Sequence, residues 1–324
     1  MMILAGDVGG TYTRLALFDS SQEMLCMREK KFSSKTFSGL EEIVREFLGS
    51  EKVSTACFGV AGPVREDRCV ATNLPWVIDA KELSKQLQIT SVHLLNDLEA
   101  NAYGIRMLKQ EELALIYPGS GPKIGNQALI AAGTGLGEAG LYWNGKEQLP
   151  FASEGGHSDF APRDPLEIEL FLYLQKKFGH VSYERVVSGP GLVNLYQFLL
   201  DTRRGSVNAS IQEEMLARNP GSVISEHGRL NKDETATKAV DWFLSLYGSE
   251  AGNLALKYLA LGGVYLGGGI VPHLIDRIQS GLFYDSFVQK GRFKDLLSSI
   301  PIWVILNDRA ALLGAGYLAR RSIS

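Results

Sequence analysis

The sequence predicts an α/β protein of two domains, and three observations carry that expectation. Short apolar strands alternate with amphipathic helices along the first third of the chain. Two stretches 126 residues apart, ILAGDVGGTYTRLALF and ALIAAGTGLGEAGLYW, share one plan: an apolar strand, a glycine turn and an alternating strand. The 324 residues are enough for two cores of ordinary size.

In chain order, Ile3–Asp7 reads as a strand, Val8-Gly9-Gly10 as a turn and Thr11–Phe18 as a second strand, together a hairpin. Ser38–Leu48 places Leu40, Ile43, Val44, Phe47 and Leu48 on one helix face. Val53–Val60 is a buried strand, Thr72–Trp76 a loop, and Asp79–Leu87 a helix with Asp79 as its cap. Val92, Leu94 and Leu95 then form a strand that runs into a helix over Glu99–Met107. A polar Gly/Pro break at Pro118–Asn126 precedes the second hairpin, Ala128–Trp143. Helices follow over Pro165–Phe178, Ser182–Leu200 (interrupted at Ser188-Gly189-Pro190-Gly191), Ile211–Ala217 and Asp233–Leu261. Ile302–Leu306 is a strand, and Asn307 or Asp308 caps a last helix, Arg309–Arg320.

Hydrophobic residues make up 45% and charged residues 21%, the balance of a soluble globular chain. A net charge of −3 argues against a nucleic-acid binder, which shows a basic stripe. The uncharged run Tyr258–Ile275 holds five glycines and Pro272, a poor membrane span; a helix end, a buried strand, a glycine turn and a helix starting near Pro272 fit it better. Asp7 interrupts the apolar opening, which lacks the basic region of a signal peptide. Cys26, Cys57 and Cys69 lack zinc-site spacing, and so sparse and odd a set suits a reducing cytoplasm.

The strand–helix junction puts Asn96 and Asp97 at the carboxyl end of a strand, where ligands bind in open α/β sheets. An Asn or Asp there is also an ordinary helix cap, and position alone leaves both readings open. Three glycine clusters stand out: Gly9-Gly10-Thr11, Gly133-Thr134-Gly135-Leu136-Gly137 and Gly267-Gly268-Gly269. Bare turns let backbone N–H groups converge on phosphate oxygens, although each cluster alone is equally a tight turn. None matches the P-loop or the dinucleotide fingerprint. Asp7, a carboxylate at a strand end beside the first turn, suits Mg²⁺ or simply opens the hairpin. In Ser153-Glu154-Gly155-Gly156-His157 the glycines let a carboxylate and an imidazole turn to one side; the pair suits a polyol better than a metal, for which no further Cys or His lies close by, and a solvated loop is the plain alternative. Glu184 adds a third polar group or lies on the surface.

Taken together, GDVGGTYTR, TNLPW, LLNDLEANAYG, AAGTGLGEAG, SEGGHSDFAP, HVSYERVVSGPGLVNLY and LGGGIVP resemble, in order and across nearly the whole chain, bacterial glucokinase of the ATP-dependent, zinc-free type. That family belongs to the sugar-kinase, heat-shock-chaperone and actin superfamily. The resemblance implies two ribonuclease-H-like α/β domains around a central cleft, an actin-like ATPase or hexokinase-type fold. A small domain would cover 1–110 with 308–324, and a large one with added helices 111–307. It implies that Asp97 is the catalytic base and that Asn73, Asn96, Asp97, Glu154, His157 and Glu184 face glucose. It implies that Asp7, Gly9, Gly10, Thr11, Gly133, Thr134, Gly135, Gly137, Gly267, Gly268 and Gly269 face ATP, with Asp7 on Mg²⁺ directly or through water. Tyr12 departs from the Asn that many relatives carry there. No cysteine follows Cys69, so the cysteine cluster of zinc-binding relatives is missing and no zinc is expected. The expected partners are glucose, ATP and a second copy in a cytoplasmic homodimer, with no nucleic acid and no membrane. The alternatives are a kinase for mannose, fructose or an N-acetyl hexosamine, and a sugar-sensing regulator. The last is disfavoured because the hairpin begins at residue 3, leaving no room for a helix-turn-helix before it.

Overall fold

The computed structural model describes residues 2–21 and 23–323. The chain divides into two units: Met1–Glu112 with Leu149–Ala152 and Asn307–Ser324, and Leu113–Gln148 with Ser153–Leu306.

The first unit contains strands β1 (Met2–Val8), β2 (Tyr12–Asp19), β3 (Cys26–Ser33) and β4 (Thr55–Val60), the short strands β5 (Val64–Arg65), β6 (Arg68–Val70) and β7 (Val77–Asp79), and β8 (Ser91–Asn96). Its helices are α1 (Leu40–Leu48), α2 (Ala80–Leu87), α3 (Asp97–Ile105) and the C-terminal helix Ala310–Arg321. The main sheet runs β3-β2-β1-β4-β8, with β1 antiparallel to β2 and parallel to β4, and β4 parallel to β8. Its central strands are apolar and buried over most of their length because both faces are covered. Leu4, Val8, Leu15 and Leu17 pack with Ile43 and Phe47 of α1 on one face. Ile3, Ala5, Ala16 and Phe18 pack with Ala100 of α3 and Leu312 and Ala315 of the C-terminal helix on the other. Those two helices touch backbone to backbone: a Cβ on Gly104 would fall 1.9 Å from the Ala310 carbonyl oxygen, and one on Gly314 1.8 Å from that of Ala100. Strand β3 was not foreseen; CMREKKFS has no apolar alternation, as expected of an edge strand that buries only Phe32 and discourages further pairing with charge.

The second sheet consists of β9 (Leu113–Tyr117), β10 (Gln127–Ala132), β11 (Leu136–Trp143), β12 (Gln148–Ser153), β13 (Gly263–Gly267) and β14 (Ile302–Ile305), in the order β12-β11-β10-β13-β14-β9. Strand β10 is antiparallel to β11 and parallel to β13, and β13 is parallel to β14. This repeats the β1–β2, β1–β4 and β4–β8 pairings, so the sequence echo corresponds to a repeated topology. Helices α4 (Pro165–Phe178), α5 (Gly189–Asp201), α6 (Ala209–Ala217), α7 (Pro220–Arg229) and α8 (Glu234–Tyr258) build its core, with three short helices between Ile275 and Ser298. The 25-residue α8 is buried over most of its length and is the central helix of that core.

Some boundaries differ from the sequence expectation. The helix expected over Ser182–Leu200 is a 3-10 turn, Tyr183–Arg185, then α5, because the Ser188 hydroxyl accepts the Gly191 N–H at 2.9 Å and caps a helix entered through Gly189-Pro190. Helix α7 was not foreseen either. Neither Asn307 nor Asp308 is the residue directly before the last helix; Asn307 accepts the Arg309 N–H at 2.8 Å, one residue earlier. Among the described residues no helix is long and apolar enough to cross a membrane, and all three cysteines are free thiols.

Candidate active site

At the β8–α3 junction the structure separates two roles that the sequence left merged. Asn96, 6% exposed, is the helix cap: its Oδ1 accepts the N–H groups of Leu98 at 2.9 Å and Glu99 at 3.3 Å, and its Nδ2 donates to the Gly62 carbonyl at 3.1 Å. Asp97 is then the first residue of the helix, half-buried, where the partial positive charge of the helix start favours a carboxylate. The helix begins two residues earlier than the apolar pattern indicated, because polar cap residues carry no periodicity. Gly59 of β4 lets α3 approach, since a Cβ there would stand 2.7 Å from that of Ala100.

The first glycine hairpin is braced from outside. Gly9 N–H bonds the Tyr12 carbonyl at 3.0 Å, and the Ser34 hydroxyl donates to the Gly9 carbonyl at 2.8 Å. Gly10 is bare for a packing reason: a Cβ there would lie 2.5 Å from the Cβ of Asn73, so the TNLPW loop rests on this turn. Asp7 lies opposite Arg14 in the β1–β2 pair and beside Gly59 of β4. Burial raises its carboxyl to about 6, opposed by the Arg14 charge, with Asp308 pushing further upward. Arg14 in turn donates to Asp308 at 2.8 Å, a bond that holds the Asp308 carboxyl below its ordinary value. Asp7 is a hard oxygen donor that no hydrogen bond claims among the described residues. A single carboxylate completed by water and phosphate oxygens is a common Mg²⁺ arrangement, so the donor chemistry fits. Among the described residues no three His, Cys, Asp or Glu side chains gather as a metal cage.

In the second unit the glycine turn and the polar loop meet on β11. Glu184 Oε2 accepts the Leu136 N–H at 3.0 Å, and a Cβ on Gly135 would stand 2.5 Å from that oxygen. Glu154 precedes, and His157 ends, a one-turn 3-10 segment, Gly155–His157, and both are exposed. Its glycines are required by contact rather than by flexibility. A Cβ on Gly156 would meet the Leu136 carbonyl oxygen at 1.9 Å, and one on Gly155 would meet Glu138 Oε2 at 2.0 Å. The structure therefore brings Glu154, His157 and Glu184 to one short stretch of β11.

A cavity of about 680 Å³ in the same unit is lined by Gly133 and Thr134, by Gly189 and Pro190 at the start of α5, by residues from Arg218 to Arg229 around α7, and by Gly269, Ile270 and His273. Of the glycines expected to face a nucleotide in this unit, Gly133 and Gly269 line it, as does Thr134; Gly135, Gly137, Gly267 and Gly268 do not. Gly268 is needed by its backbone, with φ of 86° and a would-be Cβ 2.1 Å from the Ala132 carbonyl oxygen. Sequence reasoning missed Arg218, Asn219, Ser222, Arg229 and His273. The Asn219-Pro220 pair, a cap followed by proline, was the available signal: Asn219 accepts the Ser222 N–H at 3.0 Å.

A family model described as glucokinase matches residues 4–322. The glucokinase of a Nostoc species is 39% identical, with 99% of each chain covered. A crystal structure of glucokinase from an Antarctic psychrotroph is 30% identical, covers 99% of each chain and superposes with a TM-score of 0.85. The glucokinase of Balamuthia mandrillaris, solved in complex with glucose, is 24% identical over 98% of this chain and 93% of its own, with a TM-score of 0.82, a likeness of fold.

Proposed function

The chain belongs to the glucokinase family of ATP-dependent hexose kinases, and from that premise we propose how its residues divide the transfer of the ATP γ-phosphoryl to the 6-hydroxyl of glucose. The observation that carries the assignment is the bond between Leu136 N–H and Glu184, which joins a sugar-facing carboxylate to the turn of a phosphate hairpin.

In the transfer, the glucose 6-oxygen forms a bond to the γ-phosphorus while the bond from that phosphorus to the bridging oxygen of ADP breaks. Asp97 accepts the hydroxyl proton. With an ordinary carboxyl pKa of about 3.9 a carboxylate is a weak base toward an alcohol, so its larger contribution is to align the hydroxyl. The transition state is loose, and positioning with charge neutralisation dominates. Glu154, His157, Glu184 and Asn73 offer the paired donors and acceptors that discriminate among hexoses, because a missing or inverted hydroxyl leaves a buried polar group unmatched. Asn96 contributes less than the sequence implied: capping occupies its oxygen and the Gly62 bond takes one N–H, leaving one for a sugar hydroxyl. The backbones at Gly9–Thr11 and Gly133–Gly137 receive phosphate oxygens, and the turn at Gly267–Gly269 borders the adenosine. Mg²⁺, when bound, neutralises phosphate charge, and Asp7 is the residue that would hold it directly or through water.

The same reading makes the protein a cytoplasmic homodimer at the opening step of glycolysis; three free thiols fit a reducing compartment, and light scattering tests the dimer. The deciding experiment is a coupled assay over glucose, mannose, fructose and N-acetyl hexosamines, with ATP, ADP and polyphosphate as donors. We expect glucose with ATP to dominate, and no phosphorylation of glucose would overturn the proposal.

A further inference from the structure

Glu138 occupies an inward position of β11, 1% exposed, and no donor among the described residues reaches either of its carboxylate oxygens. An ionised carboxylate in such a place loses its hydration with nothing in return. Facing it from α8 is Glu250, 0% exposed. Glu250 is well held: Asn253 Nδ2 donates to it at 2.7 Å and Lys257 Nζ lies 3.3 Å away. The arrangement has a natural solution. Glu138, which no donor reaches, is the member that keeps a proton, and it donates that proton toward Glu250. Burial first, and the Glu250 charge second, drive the Glu138 carboxyl up to about 8.

The position of this pair gives it a consequence. Glu138 Oε2 lies directly against Gly155, in the segment between Glu154 and His157, where a Cβ would come within 2.0 Å. The Tyr183 hydroxyl accepts from the same Asn253 at 2.9 Å, so the turn that carries Glu184 leans on the same buried group. We propose that the Glu138–Glu250 carboxyl pair, sharing one proton under Gly155, is a positioning device that holds the Glu154–His157 loop in its sugar-binding place, and that losing the proton weakens sugar binding. This rests on the reading of Glu154 and His157 as sugar ligands.

Other charged and titratable groups around the pair do not provide the same control. Lys257 is already paired with Glu250. Tyr247 and Tyr183 are pushed further up by burial and stay neutral. Lys290 donates to Asn253 at 2.6 Å and Ser249 at 3.1 Å, and burial lowers it to about 8, so it loses charge over the same alkaline range instead of compensating. When the Glu138 proton leaves for solvent, two carboxylates face each other in the core. Their repulsion and demand for water are relieved most readily by displacing the exposed loop above.

The experiment compares the wild type with Glu138→Gln and Glu138→Leu, measuring KM for glucose and kcat from pH 6.5 to 9.5. If only the protonated pair binds sugar, the competent fraction one unit above the pair's midpoint is about one-eleventh, so wild-type KM rises about tenfold there with kcat little changed. Glu138→Gln, a permanent neutral donor, keeps the neutral-pH KM throughout, whereas Glu138→Leu has a raised KM at every pH. A KM rise in Glu138→Gln equal to that of the wild type would overturn the proposal and point to Lys290. Carbon-13 NMR of glutamate δ-carbons in the wild type gives an independent reading. One carboxyl that keeps its proton above neutral pH supports the shared proton, and titration of every glutamate below neutral pH overturns it. That reading needs no turnover, so it stands even if glucose proves not to be the substrate.

Discussion

The carboxylate of Glu184 accepts the backbone N–H of Leu136 at 3.0 Å, across 48 positions of the chain. On the proposed assignment this bond ties the end of the phosphate turn to an anchor of the sugar set, so a change at the turn can reach the sugar set. Gly135→Ala makes this measurable. The new Cβ would stand 2.5 Å from Glu184 Oε2, so the flexible carboxylate swings away and gives up its bond. We expect KM for glucose to rise about tenfold, the loss of one charge-assisted hydrogen bond, with KM for ATP within about twofold. A larger effect on ATP would assign the glycine to phosphate contact instead.

Asp97→Asn should lower kcat by about 10²–10⁴ while the glucose dissociation constant, from intrinsic fluorescence, changes only a few-fold. Because Asn96 rather than Asp97 caps α3, the variant should unfold in urea close to the wild type. A folded variant with kcat near wild type removes Asp97 from the proton-accepting role.

Asn96→Ala should do the reverse. It removes a cap and strands the Gly62 carbonyl, costing about 1–3 kcal/mol in urea unfolding. Its kcat loss should be the smaller of the two. An Asn96→Ala protein as stable as wild type would contradict the capping geometry.

Asp7→Asn exchanges activity for stability. The folded state holds the Asp7 carboxyl at about 6 against 3.8 in an unfolded chain, so it binds the proton more tightly than the unfolded state does. That destabilises the fold as pH rises between those values, by at most about 3 kcal/mol, and the full cost is present above pH 6. Asparagine removes it. Urea midpoints should favour the variant at pH 7.5, and the advantage should shrink through pH 6 and vanish near pH 4. Turnover with ATP and Mg²⁺ should collapse throughout. An advantage that does not depend on pH would refute the burial argument.

Local pattern revealed the parts of this molecule that are built locally. The β1–β2 hairpin, α1, the β8–α3 junction and α4 all announce themselves through periodicity, caps and turn residues. The repeated hairpin was readable because the two copies preserve their strand–turn–strand order. What escaped is what depends on distant residues. Glu138 sits between Gly137 and Ala139 with nothing to show that Glu250, more than a hundred positions on, faces it in the core. Helix α7 begins Asn219-Pro220-Gly221-Ser222, a composition that reads as loop until the cap is seen in place. The glycines of the Glu154–His157 loop read in the sequence as freedom for the flanking side chains, but they are bare because β11 lies against them.

The contact of α3 with the C-terminal helix has an implication for synthesis. Gly104 and Gly314 let those helices meet backbone to backbone, so the face of the first sheet formed by Ile3, Ala5 and Ala16 is closed by residues made only after the second unit. A nascent chain emerging from the ribosome will carry that apolar face uncovered while the whole second unit is translated and folds. Strand β1 must wait for its cover, and during that interval the growing chain presents an apolar surface open to aggregation.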